Sequence, residues 1–262
     1  MPAVFLGHGS PMNALGANRY TAAWREFGAS IPRPAAVLAV SAHWTTRGIG
    51  VTAMDHPPTI HDFGGFPKEL FAVQYPAPGS PQLAARVREL LAPLEVGLDR
   101  SSWGLDHGTW SVLLHVFPQH DVPVVQLSLD MTQPAEFHYE LGARLSPLRD
   151  EGVLIVGSGN VVHNLRTARW GANAAAYDWA AGFNATFRQQ LEKRDHAPLI
   201  AYDQLGEPAR LSINSAEHYL PALYIAGLQS DQDALSFLTD GIELASISML
   251  SFAIDSRNKR MA

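Results

Sequence analysis

The chain has 262 residues, 47% of them hydrophobic and 17% charged, with a formal net charge of −6, eleven histidines and no cysteine. That much apolar material builds a large core and excludes a disordered chain. An acidic balance without any stripe of Lys or Arg excludes nucleic acid and anionic lipid as expected partners, and the missing cysteines exclude disulfides and thiolate metal sites.

The length suits one α/β domain over 1–262, a monomer or small homo-oligomer, with no linker or internal repeat. The opening residues, MPAVFLGHGSP, lack the positive n-region of a signal peptide and the apolar length of a membrane span, so no membrane partner and a cytoplasmic location are expected.

The first apolar run, Ala3 to Leu6, reads as a strand and ends in Gly7-His8-Gly9-Ser10-Pro11. A helix is expected over Tyr20 to Gly28. The next strand, Ala36 to Val40, runs into Ser41-Ala42-His43-Trp44, and a third covers Ile49 to Ala53. From Met54 to Ser80 neither helical nor strand periodicity appears. A loop of that length in a compact domain is functional more often than idle. It holds Thr59-Ile60-His61-Asp62-Phe63-Gly64-Gly65-Phe66-Pro67, where His61, Phe63 and Phe66, with Tyr75 beyond, suit the wall of an aromatic-binding pocket.

After a helix over Pro81 to Leu91 comes Leu105-Asp106-His107-Gly108-Thr109-Trp110, the entry to a helix over Gly108 to Phe117. Asp106 either orients the ring of His107 as an acid/base group or simply starts the helix beside an incidental histidine, and Gly108 lets the chain turn tightly. His115 and His120 flank the end of that helix, where a cation suits the dipole and needs no function, and His56, His138 and His196 take a structural reading too. A strand over Val122 to Leu129, a helix over Pro134 to Leu148 and a strand over Gly152 to Val156 lead to Gly157-Ser158-Gly159-Asn160-Val161-Val162-His163-Asn164. There Asn160 either donates into the crevice or fixes its own turn.

A helix over Ala174 to Lys193 precedes Ser215-Ala216-Glu217-His218-Tyr219-Leu220-Pro221, in which His218 opens a helix reaching Leu228. Glu217 is a competing carboxylate ligand, and the residues alone leave the choice open. A last strand over Ser246 to Ile254 ends in the polar tail DSRNKRMA.

Strands alternating with helices give an α/β fold with a central mixed β-sheet flanked by helices. In such sheets the ligand crevice lies outside the carboxyl ends of the strands. His8, His43 and His163 each follow an apolar run, so folding brings three imidazoles to one edge. Neutral imidazole is the commonest protein ligand for zinc and non-haem iron, which points to a single assembled metal site. Neither GHGSP, which lacks the Gly-x-Ser-x-Gly elbow, nor the short GSGN supports a hydrolase triad or a dinucleotide site.

Taken in order, GHGSP, SAHW, TIHDFGGFP, QYPAPGSP, LDHGTW, GSGNVVHNL and SAEHYLPAL span most of the chain, and on them it resembles the class III extradiol ring-cleavage dioxygenases, in particular the 4,5-DOPA dioxygenase group. The resemblance implies His8, His43 and His218 as metal ligands, His163 at the metal as fourth ligand or base, and His107 as acid/base. It also implies one divalent metal per chain, Zn(II) or Fe(II), and a catechol such as L-DOPA opened by O2 between ring carbons 4 and 5 to a yellow semialdehyde. The chain departs from the better-known members, which hold iron(II) with two histidines and a glutamate. Two other readings stand beside it: a zinc hydrolase that works without oxygen, and a non-catalytic ligand-binding protein on the same fold.

Overall fold

The computed structural model describes residues 1–171 and 174–256. The described residues form ten strands, most of them separated by helices: β1 (Ala3–Gly7), β2 (Ala36–Thr46), β3 (Ile49–Thr52), β4 (Val96–Asp99), β5 (Val124–Asp130), β6 (Val153–Gly159), β7 (Asp233–Thr239), β8 (Ile242–Glu243), β9 (Ile247–Ser248) and β10 (Ser251–Ser256). All but β8 and β9 form one mixed sheet in the order β4-β3-β5-β2-β6-β1-β10-β7. Its centre, β5-β2-β6-β1, is parallel, while β10 joins β1, and β3 joins β5, antiparallel.

The sheet is buried on both faces because successive strand residues alternate between two cores. Ala3, Phe5, Leu38, Val40 and Ile155 enter one core, and Val4, Leu6, Val37, Ala39 and Val156 the other. The helices are α1 (Arg19–Ser30), α2 (Lys68–Phe71), α3 (Pro81–Leu90), α4 (His107–Val116), α5 (Ala135–Arg144), α6 (Pro147–Asp150), α7 (Asp178–Lys193), α8 (Ala197–Ile200), α9 (Gly206–Ser212) and α10 (Leu220–Gly227). α3, α5, α7 and α10 cover the first face, and α1 and α4 the second. Almost every residue of α10 is apolar and buried, as a helix wedged between sheet and neighbouring helices must be. Arg149 and Asp233, both nearly buried, tie α6 to β7 through a double ion pair at 2.6 and 3.0 Å.

Several expected elements change. The helix expected over Pro134 to Leu148 breaks into α5 and α6 because Pro147 cannot continue it. The strand expected over Ser246 to Ile254 divides into β9 and β10. The helix expected from Ala174 starts only at Asp178, since Tyr177 is held extended by its N–H donating to the Ala245 carbonyl. The helix expected from His218 starts at Leu220. The first two residues of the DSRNKRMA tail, Asp255 and Ser256, belong to β10, and the rest lie outside the described residues. Among the described residues no helix is long and apolar enough to cross a membrane.

Candidate metal centre and active site

The carboxyl ends of the parallel strands deliver the histidines together. His8 follows β1 directly. His43 lies inside β2, in the stretch between Val40 and Thr45 where the register with β5 shifts. His163 lies four residues past β6, its backbone bridged to Ile213 and Ile247. His218 stands two residues before α10, and its carbonyl accepts from the Asn160 N–H at 2.8 Å. A Cβ on Gly159 would sit 2.2 Å from that carbonyl oxygen, so only glycine lets the His218 segment seat against β6.

The hydrogen bonds assign the tautomers. Ser158 Oγ donates to the Gly108 carbonyl at 2.5 Å, which commits its single proton. The bond between Ser158 Oγ and His8 Nδ1, 2.9 Å, therefore has the imidazole as donor. His218 Nδ1 donates to Glu217 Oε1 at 3.2 Å, because a carboxylate only accepts; His43 Nδ1 faces Asp62 Oδ2 at 3.2 Å, a contact short of hydrogen-bond geometry that favours the proton on the same nitrogen. All three rings thus expose a bare Nε2. The Nε2 atoms of His8 and His43 are 3.4 Å apart, and with no proton between them the contact is two lone pairs aimed at one point, an arrangement that calls for a cation.

Metal geometry provides a quantitative check. Ring nitrogens about 2.0–2.1 Å from a tetrahedral ion stand about 3.3–3.4 Å from one another, with ring centroids about 5.2 Å apart. The centroids of His8, His43 and His218 form a near-equilateral triangle with sides of 5.2, 5.4 and 5.0 Å. Two sets of three donor residues bring their donor atoms within 4.8 Å of one another: His8, His43 and His107, and His163, Glu217 and His218. Both contain a pair of rings too close to share an ion. The His43 and His107 centroids are 3.8 Å apart and those of His163 and His218 3.5 Å, which would force ligand angles of about 70°. The residues that could hold one ion together are therefore His8, His43 and His218. Burial first, then the neighbouring histidines, holds His8 and His218 well below the ordinary imidazole range; burial and then His107 bring His43 to about 3. Near neutral pH all three are unprotonated, as metal ligands must be.

Two further histidines line the same cavity, which measures about 510 Å³. His107 opens α4, and its ring Nδ1 and backbone N–H donate to the two carboxylate oxygens of Asp62 at 2.9 and 2.8 Å. Asp62, not Asp106, orients this ring. Asp106 instead caps α4 by accepting from the Thr109 N–H, takes the Ser41 hydroxyl at 2.7 Å and bonds the Gln126 amide. Burial and then the charge of Asp62 raise its pKa. Although burial works against ionisation, the hydrogen bonds from His107 hold Asp62 below the usual carboxylate range. Gly108 serves close packing more than turning: a Cβ there would come 2.4 Å from Ser41 Oγ and 2.9 Å from the His43 ring. The His163 ring stacks on that of His218, 6° from parallel, and neither of its nitrogens has a hydrogen-bond partner among the described residues. Burial lowers its pKa to about 4.

The expected pocket wall divides. Phe63 and Phe66 line the cavity, with Phe63 edge-on to His107 at 5.5 Å. His61 and Asn160 stand behind it. His61 bonds the Val73 carbonyl at 2.8 Å and packs on Trp110, while Asn160 is buried and donates to the Ser248 carbonyl at 2.7 Å. Glu217 supports His218 and is not one of the three converging groups. Reading the sequence missed Asp62 and Ser158, and also Tyr20 and Glu243, which line the same cavity. The first two sit inside motifs already singled out, and polar residues beside candidate ligands were the available signal. Tyr20 and Glu243, far apart in sequence, carried none.

A family model described as the catalytic LigB subunit of aromatic ring-opening dioxygenase matches residues 3–253. The chain is 52% identical over 257 residues to the 4,5-DOPA dioxygenase extradiol of Escherichia coli (strain K12), covering 97% of this chain and 94% of that one. It is 36% identical over 247 residues to the 4,5-DOPA dioxygenase extradiol of Beta vulgaris, covering 90% and 91%. The crystal structure of an uncharacterized protein from Escherichia coli K12 superposes with a TM-score of 0.86 at 47% identity, covering 97% of this chain and all of that one. With a match over nearly its whole length, the chain belongs to the LigB family of aromatic ring-opening dioxygenases, and is an oxidoreductase of that family.

Proposed function

We propose that the protein is a metal-dependent extradiol dioxygenase that opens the ring of a catechol, L-DOPA or a close relative, with O2, and that His8, His43 and His218 hold its single metal ion. The observation that carries this reading is the convergence of three imidazoles, each with Nδ1 facing an acceptor, whose ring centroids form a triangle of tetrahedral dimensions. Iron(II) bound there supplies Lewis acidity together with the redox chemistry that ring opening needs, whereas zinc, which a three-histidine set accepts as well, supplies only the first.

The chain's own residues bind the ring and handle its protons. Phe63 and Phe66 give an aromatic ring an apolar wall beside the histidines. His163, unprotonated near neutral pH and with both ring nitrogens unbonded, takes a proton from a catechol hydroxyl. Its stacking on His218 keeps it beside the ion without making it a ligand. His107, fixed through Nδ1 by Asp62, keeps Nε2 for proton exchange and returns a proton as the ring opens.

Iron(II)-reconstituted protein mixed with L-DOPA in air should develop a yellow product whose mass is that of the substrate plus two oxygen atoms. Hydrolysis of an ester or amide by the zinc form, with catechols untouched, would instead identify a zinc hydrolase.

A further inference from the structure

The cavity has a second end whose chemistry the ring-opening machinery does not use. Apart from the histidines, Glu243 is the only ionisable acid or base of the Asp, Glu, Lys and Arg types among the described residues lining it. Asp62 and Glu217 reach the histidines from behind and do not line the space. Glu243 belongs to the short hairpin of β8 and β9, in which it pairs with Ile247, and Ile247 in turn is bridged to His163. Directly opposed residues in neighbouring strands project to the same face, so the three side chains share one wall, and all three line the cavity. Two strand spacings of about 4.8 Å separate the backbone of Glu243 from that of His163 by about 10 Å, on the scale of a ring carrying a short side chain.

The hairpin is held in a conformation that side chains resist. Leu244 and Ala245, two of the three residues of its turn, both lie in the left-handed region, at φ 50° and 65°. The surroundings enforce it: the Arg169 N–H donates to the Leu244 carbonyl at 2.9 Å and the Tyr177 N–H to that of Ala245 at 3.0 Å. The carboxylate is pinned as well. Tyr20 OH donates to Glu243 Oε1 at 2.6 Å, and Arg19 Nη2 donates to the same hydroxyl at 2.6 Å without itself lining the cavity. Burial and the bond to Glu243 push the Tyr20 phenol up to about 12, so it remains a donor. No Lys, Arg or His nitrogen among the described residues comes within 4 Å of the Glu243 carboxylate.

A cavity that binds a catechol at the histidines therefore offers the ring's substituent one oriented carboxylate and no lining cation to meet an anionic group; Arg19, which feels the Glu243 charge from behind Tyr20, does not line it. We infer that Glu243, held by Tyr20, is the specificity-determining residue that receives an ammonium group on the side chain of the catechol, making catechol amines and amino acids the preferred substrate class. The inference rests on the catechol reading above.

The test compares four catechols differing only in the substituent: L-DOPA, dopamine, 3-(3,4-dihydroxyphenyl)propionate and 4-methylcatechol. For iron(II)-loaded wild type, Glu243→Gln and Tyr20→Phe, kcat/KM is measured in air and the dissociation constant anaerobically by calorimetry. Wild type should favour dopamine over 4-methylcatechol in both readouts. Glu243→Gln should cut that ratio about two- to fivefold, the worth of one exposed charge pair, mainly through KM. Tyr20→Phe should lower it less, since the carboxylate stays but is no longer pinned. An equal loss on all four substrates in Glu243→Gln, or a wild type that treats the four alike, would overturn the proposal while leaving the catechol reading standing. A wild type that neither binds nor opens any of them would overturn that reading, and the proposal with it.

Discussion

The imidazoles of His163 and His218 lie face to face, 3.5 Å between ring centroids and 6° from parallel. Lone pairs in the planes of stacked rings run side by side and do not converge, so only one of the two can join His8 and His43 around an ion. His218→Ala should abolish tight binding of a divalent ion. His163→Ala should retain a full equivalent after dialysis yet lose at least about 100-fold in turnover, the lower range for a lost proton-transfer group. Metal analysis of both variants decides it: loss from His163→Ala with retention by His218→Ala would exchange their roles.

His107 is separated from the proposed metal ligands by the same argument, because its ring sits too close to His43 for both to bind one ion. His107→Ala should keep its metal and its catechol affinity, and turn over about 100- to 10,000-fold more slowly. Unchanged single-turnover rates would make the residue structural.

Asp62 serves two rings with one carboxylate: Oδ2 accepts from His107 at 2.9 Å and faces His43 Nδ1 at 3.2 Å. Asp62→Asn puts an amide donor where an acceptor is needed, which turns one ring or moves its proton onto the nitrogen meant for metal or substrate. Such supporting groups are typically worth about 10- to 100-fold in metal affinity or activity. Iron affinity by competition with a chelator and kcat should both fall, and Asp62→Glu should recover part of each. A variant with wild-type values in both would show that the carboxylate does not set the rings.

The buried histidines make the metal-free protein sensitive to acid. Burial lowers His43 to about 3 and His163 and His138 to about 4, against an ordinary value near 6.5. Between about pH 6.5 and 4 the unfolded chain therefore binds protons that the folded one refuses, so their stability contribution is complete above about 6.5 and is lost as pH falls through that window. Each histidine contributes at most about 1.4 kcal/mol per pH unit there. Urea midpoints of the apoprotein should fall steadily from pH 7 to pH 4.5, and saturating metal should flatten the fall near the top of the range. A midpoint independent of pH would contradict the assigned burial.

Much of this was legible because the parallel strands are apolar runs of recognisable length that stop at a polar cluster. Strand ends gave His8, His43 and His163, and the sheet rule placed them at one edge. The elements that escaped are weakly patterned. β4 has four residues, and β7 is a partly exposed edge strand whose apolar positions follow no clear alternation. Asp62 looked like a neighbour of His61, yet its partner His107 lies 45 residues away, and Asp106 beside that histidine was the nearer choice. No local pattern announces a contact between Tyr20 and Glu243, 223 residues apart, because the fold alone brings them together.

Oxygen consumption measured against catechol loss tests the central claim most directly. Apoprotein reconstituted anaerobically with iron(II) should take up one O2 for each L-DOPA consumed as the yellow product appears, and the zinc form should be far slower, since zinc has no redox chemistry to lend. Equal rates with both metals, or substrate turnover with no oxygen uptake, would contradict the account.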